Sequence, residues 1–267
     1  MSVAHITDPT DPRLADYAGL RDPRHRRRVE TAQPPGFFVA EGATVVRRLL
    51  ASPLAVRSVL VTPARLDAMA PHLPPGFAVL VVPGDVLAAV AGFDVHRGIL
   101  AAADRPLPPR LDDVLRRARR VAVLEGINDH ENMGAVLRSA AGLGIDAVVL
   151  DPTCCDPWYR RSVRVSMGGV FAMSLVPAPD WPGALAALKD HGFTLVAMTP
   201  DPGAVDLASV DVPARSAVLL GAEGPGLSPA ALAAADTCVR IPMTSGLDSL
   251  NVAHAAAIAF WHLRVGT

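Results

Sequence analysis

Three stretches of the chain concentrate side chains whose types and spacing could do chemistry. The first is Asn128-Asp129-His130-Glu131-Asn132-Met133-Gly134-Ala135-Val136-Leu137-Arg138. It follows an apolar strand and opens a helix, so its backbone amides sit where an anion is favoured. Asn132 falls at the N-cap or in the first turn, and Arg138 comes onto the flank of the helix. The plainer reading is that Asn132 merely caps the helix and Arg138 is an ordinary exposed cation. The second is Leu219-Leu220-Gly221-Ala222-Glu223-Gly224-Pro225-Gly226-Leu227-Ser228. Three glycines and a proline directly after a strand make a tight loop at the strand's C-terminal end, where α/β sheets bind ligands. Glu223 would repel a phosphate, so this loop suits a cationic ligand or one rich in hydroxyl and amine donors; a structural turn with an exposed acid is the plainer alternative. The third is Ile241-Pro242-Met243-Thr244-Ser245-Gly246-Leu247-Asp248-Ser249-Leu250-Asn251-Val252. Here a strand ends at Pro242, a small-residue loop follows, and Ser249 is placed to cap the terminal helix. Asn251, just inside that helix, is a poor helix former and needs another reason to be there.

The elements that must position these loops alternate. Periodicity predicts strands at 37–42, 56–62, 78–82 and 98–102, with helices at 43–50, 64–70 and 86–91 between them. Residues 103–110 then carry Pro106, Pro108 and Pro109, which continue neither a helix nor a central strand. This spacer separates a first domain over 1–105 from a second over 111–267. In the second, strands are expected at 121–124, 147–150, 171–176, 194–198, 217–220 and 238–241, and helices at 111–119, 133–143, 183–191 and 250–263. Strands apolar on both faces between helices imply a mostly parallel α/β sheet.

Composition narrows the class. The 267 residues are 51% hydrophobic and 19% charged, which excludes a disordered chain and supplies a core for one large or two modest domains. Aromatic residues are only 4%, so that core is built from Ala, Val and Leu. A formal net charge of −1 excludes a uniformly basic field, but not local clusters. Lys189 is the only lysine, and arginines bunch at Arg24, Arg26, Arg27, Arg28 and at Arg116, Arg117, Arg119, Arg120. They are either solvated faces or planar phosphate contacts. Cys154, Cys155 and Cys238 match neither a disulfide framework nor a zinc spacing, so no metal is expected. A polar start without a signal-peptide core, and no apolar run of membrane length, point to the cytoplasm.

Taken together, NMGAVLRSA, LLGAEGPGLS and IPMTSGLDSLNVAHAAAIA resemble, in order, the signature of the SpoU (TrmH) family of SPOUT methyltransferases. RRSVRVSMGGVF between the first two, with Ser166 and Gly168, also looks like the family, and FFVAEGATVVRRLL resembles its accessory L30-like RNA-binding domain. The resemblance covers about residues 37–267. It implies a trefoil-knotted sheet holding S-adenosylmethionine against Leu219, Gly221, Glu223, Gly226, Ile241, Met243, Leu250 and Asn251. It implies a homodimer with active sites across the interface, and methyl transfer to a ribose 2′-hydroxyl of rRNA or tRNA. Arg138 is then the central catalytic residue, with Asn132, Glu223, Ser249 and Asn251 orienting the ribose. Arginine stays charged in proteins, so Arg138 is expected to clamp a phosphate rather than act as a base. Arg24, Arg26, Arg27, Arg28 and Arg138 are the expected RNA contacts. The competing readings are a catalytically silent RNA-binding factor on the same fold, a base methyltransferase, and a nucleotide-binding Rossmann enzyme. The last is disfavoured because no GxGxxG follows the early strands.

Overall fold

The computed structural model describes residues 2–21, 29–31, 36–95, 97–211, 213–244 and 249–264. Arg24, Arg26, Arg27 and Arg28 lie outside the described residues, as do residues 245–248 of the third loop. The chain divides into two compact units, one of 1–107 with 158–171, the other of 108–157 with 172–267.

The first unit is a five-stranded sheet with helices. Its strands are β1 (Ser2–His5), β2 (Phe37–Glu41), β3 (Val56–Val61), β4 (Ala78–Val81) and β5 (Ile99–Asp104), in the order β1-β4-β3-β5-β2. Pairing is parallel for β1–β4 and β3–β4, and antiparallel where β5 meets β2 and β3. Helices α1 (Ala43–Leu50), α2 (Pro63–Met69) and α3 (Gly84–Ala91) connect them. Val45, Val46 and Leu49 of α1 are buried on one stripe, as their helical spacing dictates. β1 was not expected, because SVAH is short and polar enough to read as coil; an edge position tolerates that. Segment 158–171 belongs to this unit, where Trp158 and Phe171 pack near the Phe38 ring.

The second unit is a seven-stranded, wholly parallel sheet: β6 (Arg120–Leu124), β7 (Ala147–Leu150), β8 (Ser174–Pro177), β9 (Thr194–Met198), β10 (Val205–Asp206), β11 (Ser216–Leu220) and β12 (Thr237–Arg240). Their order is β10-β12-β9-β11-β6-β7-β8. The central strand β11 is buried at every residue, with Leu219 opposite Val123 of β6 and Ala197 of β9. Its helices are α4 (Leu111–Leu115), α5 (His130–Gly142), α7 (Trp181–Asp190), α8 (Pro229–Ala234) and α9 (Val252–His262); α6 (Arg160–Val165) lies in the first unit. One apolar layer joins Val121, Val123, Leu185, Leu195, Leu219 and Ala231, while α9 packs along α5.

Three expected boundaries shift for physical reasons. The strand expected from Phe171 begins at Ser174, because Met167 and Gly168 both hold positive φ and a 3-10 turn at Gly169–Ala172 follows. The first-loop helix starts three residues early, at His130, because Asp129 caps it. The terminal helix starts at Val252 rather than near 250, and its cap is Asn251, not Ser249.

Candidate active site

The three loops meet at the C-terminal edge of the parallel sheet. Asp129 accepts hydrogen bonds from the backbone N–H groups of Glu131 (2.8 Å) and Asn132 (2.9 Å). With the cap supplied by Asp129, the Asn132 side chain is released from that role and points elsewhere. Its Nδ2 donates to Glu223 Oε1 at 2.9 Å. Asn251 Nδ2 donates to the same oxygen at 2.8 Å and to Asn132 Oδ1 at 2.8 Å. Asn251 Oδ1 meanwhile accepts the Ala253 N–H at 2.9 Å. Asn251 thus has two roles, which accounts for an asparagine at this helix start. Three residues far apart in sequence form one closed polar triangle around a carboxylate.

The glycine loop, residues 221–228, is folded back on itself. Gly226 N–H donates to Ala222 O at 3.0 Å, and a Cβ added at Gly221 would stand 2.2 Å from the Gly226 carbonyl carbon. Only glycine permits that approach. Ser228 closes the loop by capping α8, its Oγ accepting from the Ala231 N–H.

Beside the triangle lies a cavity of about 380 Å³, within the ~300–1,000 Å³ range of small-molecule sites. The tips of β9, β11 and β12 and the start of α9 line it. Gly221, Glu223, Gly226, Ile241, Met243, Ser249, Leu250 and Asn251 all line it. The resemblance puts only the backbone of Leu219 against the cofactor; its side chain is fully buried in the sheet core, and the next residue, Leu220, lines the cavity. The reason is strand alternation, which sends successive side chains to opposite faces. Met198, Thr199 and Pro200, also on the wall, were missed by sequence reading because a strand end without glycine or charge carries no local signal. The donor set fits a sulfonium nucleoside: apolar walls for a flat base and one carboxylate for cationic or hydroxyl groups.

Arg138 stands apart. It is exposed, lines no part of the cavity, and makes no hydrogen bond or ion pair with a described residue. Six positions beyond Asn132 on a helix amounts to about 9 Å along the axis and about 120° around it, so the two side chains do not converge within one chain.

A profile of the SpoU rRNA Methylase family matches residues 119–261, which is the sheet and all three loops. The chain belongs to the SpoU rRNA methylase family. An uncharacterized tRNA/rRNA methyltransferase of Mycobacterium tuberculosis is 46% identical over 265 residues, covering 98% of this chain and 91% of that one. A 23S rRNA (guanosine(2553)-2′-O)-methyltransferase of Bacillus subtilis is 27% identical, covering 97% and 98%. The AdoMet-bound rRNA methyltransferase from Sinorhizobium meliloti superposes with a TM-score of 0.79 at 25% identity, covering 98% and 97%. In this SpoU chain, no cluster of His, Cys, Asp and Glu among the described residues is arranged to hold a metal ion, and no described helix is long and apolar enough to cross a membrane.

Around the site, Asp151 braces the first loop, accepting from the Gly126 N–H at 2.9 Å and the Thr153 hydroxyl at 2.7 Å. Burial pushes its pKa up, but these bonds and that of the Cys154 thiol outweigh burial and hold it below the usual 3.8. Burial, with the charges of Asp156 and Asp129, pushes the Cys155 thiol up to about 12; burial raises Cys154 further.

Proposed function

We propose that this SpoU chain is an S-adenosylmethionine-dependent RNA methyltransferase that methylates a ribose 2′-hydroxyl of rRNA or tRNA. The observation that carries the reading is the Asn132–Glu223–Asn251 triangle at the mouth of the cavity. Bound there, S-adenosylmethionine supplies a methyl group on a sulfonium leaving group, so no metal is needed. Leu220, Ile241, Met243 and Leu250 hold the nucleoside, and Gly221 and Gly226 let the backbone approach it. Glu223 keeps one carboxylate oxygen engaged by two amides and offers the other to a hydroxyl or amine. Asn132 and Asn251 fix that carboxylate, and Ser249 extends the polar rim. Alignment of the ribose oxygen with the methyl is the main contribution asked of these groups.

Arg138 clamps the phosphate next to the target ribose and stabilises the hydroxyl as it loses its proton. Because Arg138 diverges from the triangle of its own chain, it serves the cavity of a second copy. The homodimer is formed through α9, where Ile258 (41% exposed) and Trp261 (57% exposed) leave apolar surface uncovered. The first unit, with Arg24, Arg26, Arg27 and Arg28, grips RNA through phosphates. Residues beyond β11 form the trefoil knot, and the enzyme works in the cytoplasm, on RNA.

The test is transfer of labelled methyl from S-adenosylmethionine to RNA, followed by nuclease digestion. A 2′-O-methyl product leaves a nuclease-resistant dinucleotide. Label in a free base would favour the base-methyltransferase reading. Calorimetry with S-adenosylmethionine separates both from a silent RNA-binding factor, which would take up no cofactor.

A further inference from the structure

Glu125 follows the last residue of β6 and touches neither the cavity nor the triangle. Its backbone N–H donates to Leu220 O at 2.9 Å, at the start of the glycine loop. Its carboxylate Oε2 accepts the Ser228 N–H at 2.8 Å, at the end of that loop. Oε1 accepts the indole N–H of Trp181 at 2.7 Å, and Trp181 packs against the sheet core at the start of α7. One residue therefore holds both ends of the loop, and both its oxygens are engaged.

The loop's own geometry makes that grip consequential. Gly221 and Gly226 are in backbone contact, so residues 221–226 form a closed hairpin. The freedom left to such a piece is its tilt relative to the sheet edge. Glu223, at the hairpin's tip, needs one tilt to receive Asn132 and Asn251 together. Gly221, Glu223 and Gly226 line the cavity, so the same tilt sets the cavity's shape.

We infer that Glu125 is a positioning residue for the cofactor loop, acting through Ser228 and reported by Trp181. This rests on the methyltransferase reading above. It separates Glu125 from residues that contact RNA: cofactor binding should respond to it and RNA binding should not.

The experiment uses the full chain and Glu125→Gln, which keeps length and shape. The amide can accept from only one of Trp181 and Ser228 and presents an NH2 to the other. The dissociation constant for S-adenosylmethionine, by calorimetry, should rise on the order of tenfold, the scale of one lost hydrogen bond to a charged group. KM for the cofactor should rise in parallel, KM for RNA should stay, and kcat at saturating cofactor should recover to within about threefold. In a Trp158→Phe/Trp261→Phe background, Trp181 is the single indole. Its emission should shift when cofactor binds, and that response should shrink in Glu125→Gln. Trp181→Phe leaves the Ser228 bond in place and should cost only about twofold in affinity. Wild-type affinity in a folded Glu125→Gln protein would overturn the inference, as would an equal loss of cofactor and RNA binding. Failure of the wild-type chain itself to bind S-adenosylmethionine would instead overturn the functional reading on which it rests.

Discussion

Replacing Asn251 by Asp separates its two roles. A carboxylate at this position still accepts the Ala253 N–H, so the cap on α9 survives and the helix dipole favours the added charge. The donors to Glu223 and Asn132 are lost, each now at 2.8 Å. A hydrogen bond to a charged partner is worth about 1.5–3 kcal/mol, and the exposed site argues for the lower end. The new carboxylate oxygen takes the place of the amide nitrogen 2.8 Å from Glu223 Oε1, and even relaxed to ~4 Å two such charges repel by ~1 kcal/mol in water to ~4 kcal/mol near a protein surface. The closed triangle is therefore disfavoured by about 3 kcal/mol or more against one opened to water, and because these exposed side chains can turn away into solvent, global stability changes little. Single-turnover methyl transfer at pH 8 should fall on the order of 100-fold, with the thermal midpoint within about 2 °C of wild type. Asn251→Ala loses the cap as well, and should melt about 2–4 °C lower for about 1 kcal/mol. Full activity of Asn251→Asp at pH 8 would refute the claim that this triangle orders the site.

Arg138→Ala should lower kcat by at least 100-fold while calorimetric affinity for S-adenosylmethionine stays within twofold, since the proposed contact of Arg138 is with the RNA phosphate and not with the cofactor. Gly221→Ala should abolish cofactor binding, because its Cβ would stand 2.2 Å from the Gly226 carbonyl carbon; loss is read by calorimetry on protein checked for folding. The depressed pKa of Asp151 gives stability that is present above the unfolded value and lost as pH falls below about 3.8. Asp151→Asn should therefore be about 1–2 kcal/mol less stable at pH 7 by denaturant titration, with a flatter acid limb. Cys154 and Cys155 stay protonated at pH 8 and should resist iodoacetamide in the native protein, reacting only after unfolding.

What sequence reading captured follows from how local each signal is. Strands such as Ala147–Leu150 and the helix Ala43–Leu50 are set by periodicity and flanking glycine or proline, and they form where expected. The second loop stood out because glycine clusters after strands have few structural uses, whereas the third-loop residues Ile241, Met243 and Leu250 were named only through the family resemblance. The Asn132–Glu223–Asn251 convergence was not, since pairing across 91 and 119 residues depends on which strands neighbour which. That Leu220 turns its side chain to the cavity while Leu219 turns its own to the core follows from strand alternation. Ser249 and Asn132 were plausible caps, but Asn251 and Asp129 hold those positions, because caps are decided by where the helix axis begins and not by residue type. Glu125, Trp181 and the short helix Arg160–Val165 escaped notice because nothing around them breaks the apolar pattern.

The position of β11 has a consequence for synthesis. This strand arrives at residues 216–220, yet it sits between β6, made near residue 120, and β9, made near residue 194. A chain emerging from the ribosome with 215 residues built holds β6, β7 and β8 as one ribbon and β9 as a separate piece, each with bare edges open to other chains. Joining them requires contacts distant in sequence, which form slowly. Nascent chains stalled before β11 should accordingly be the aggregating species and the ones that chaperones hold longest.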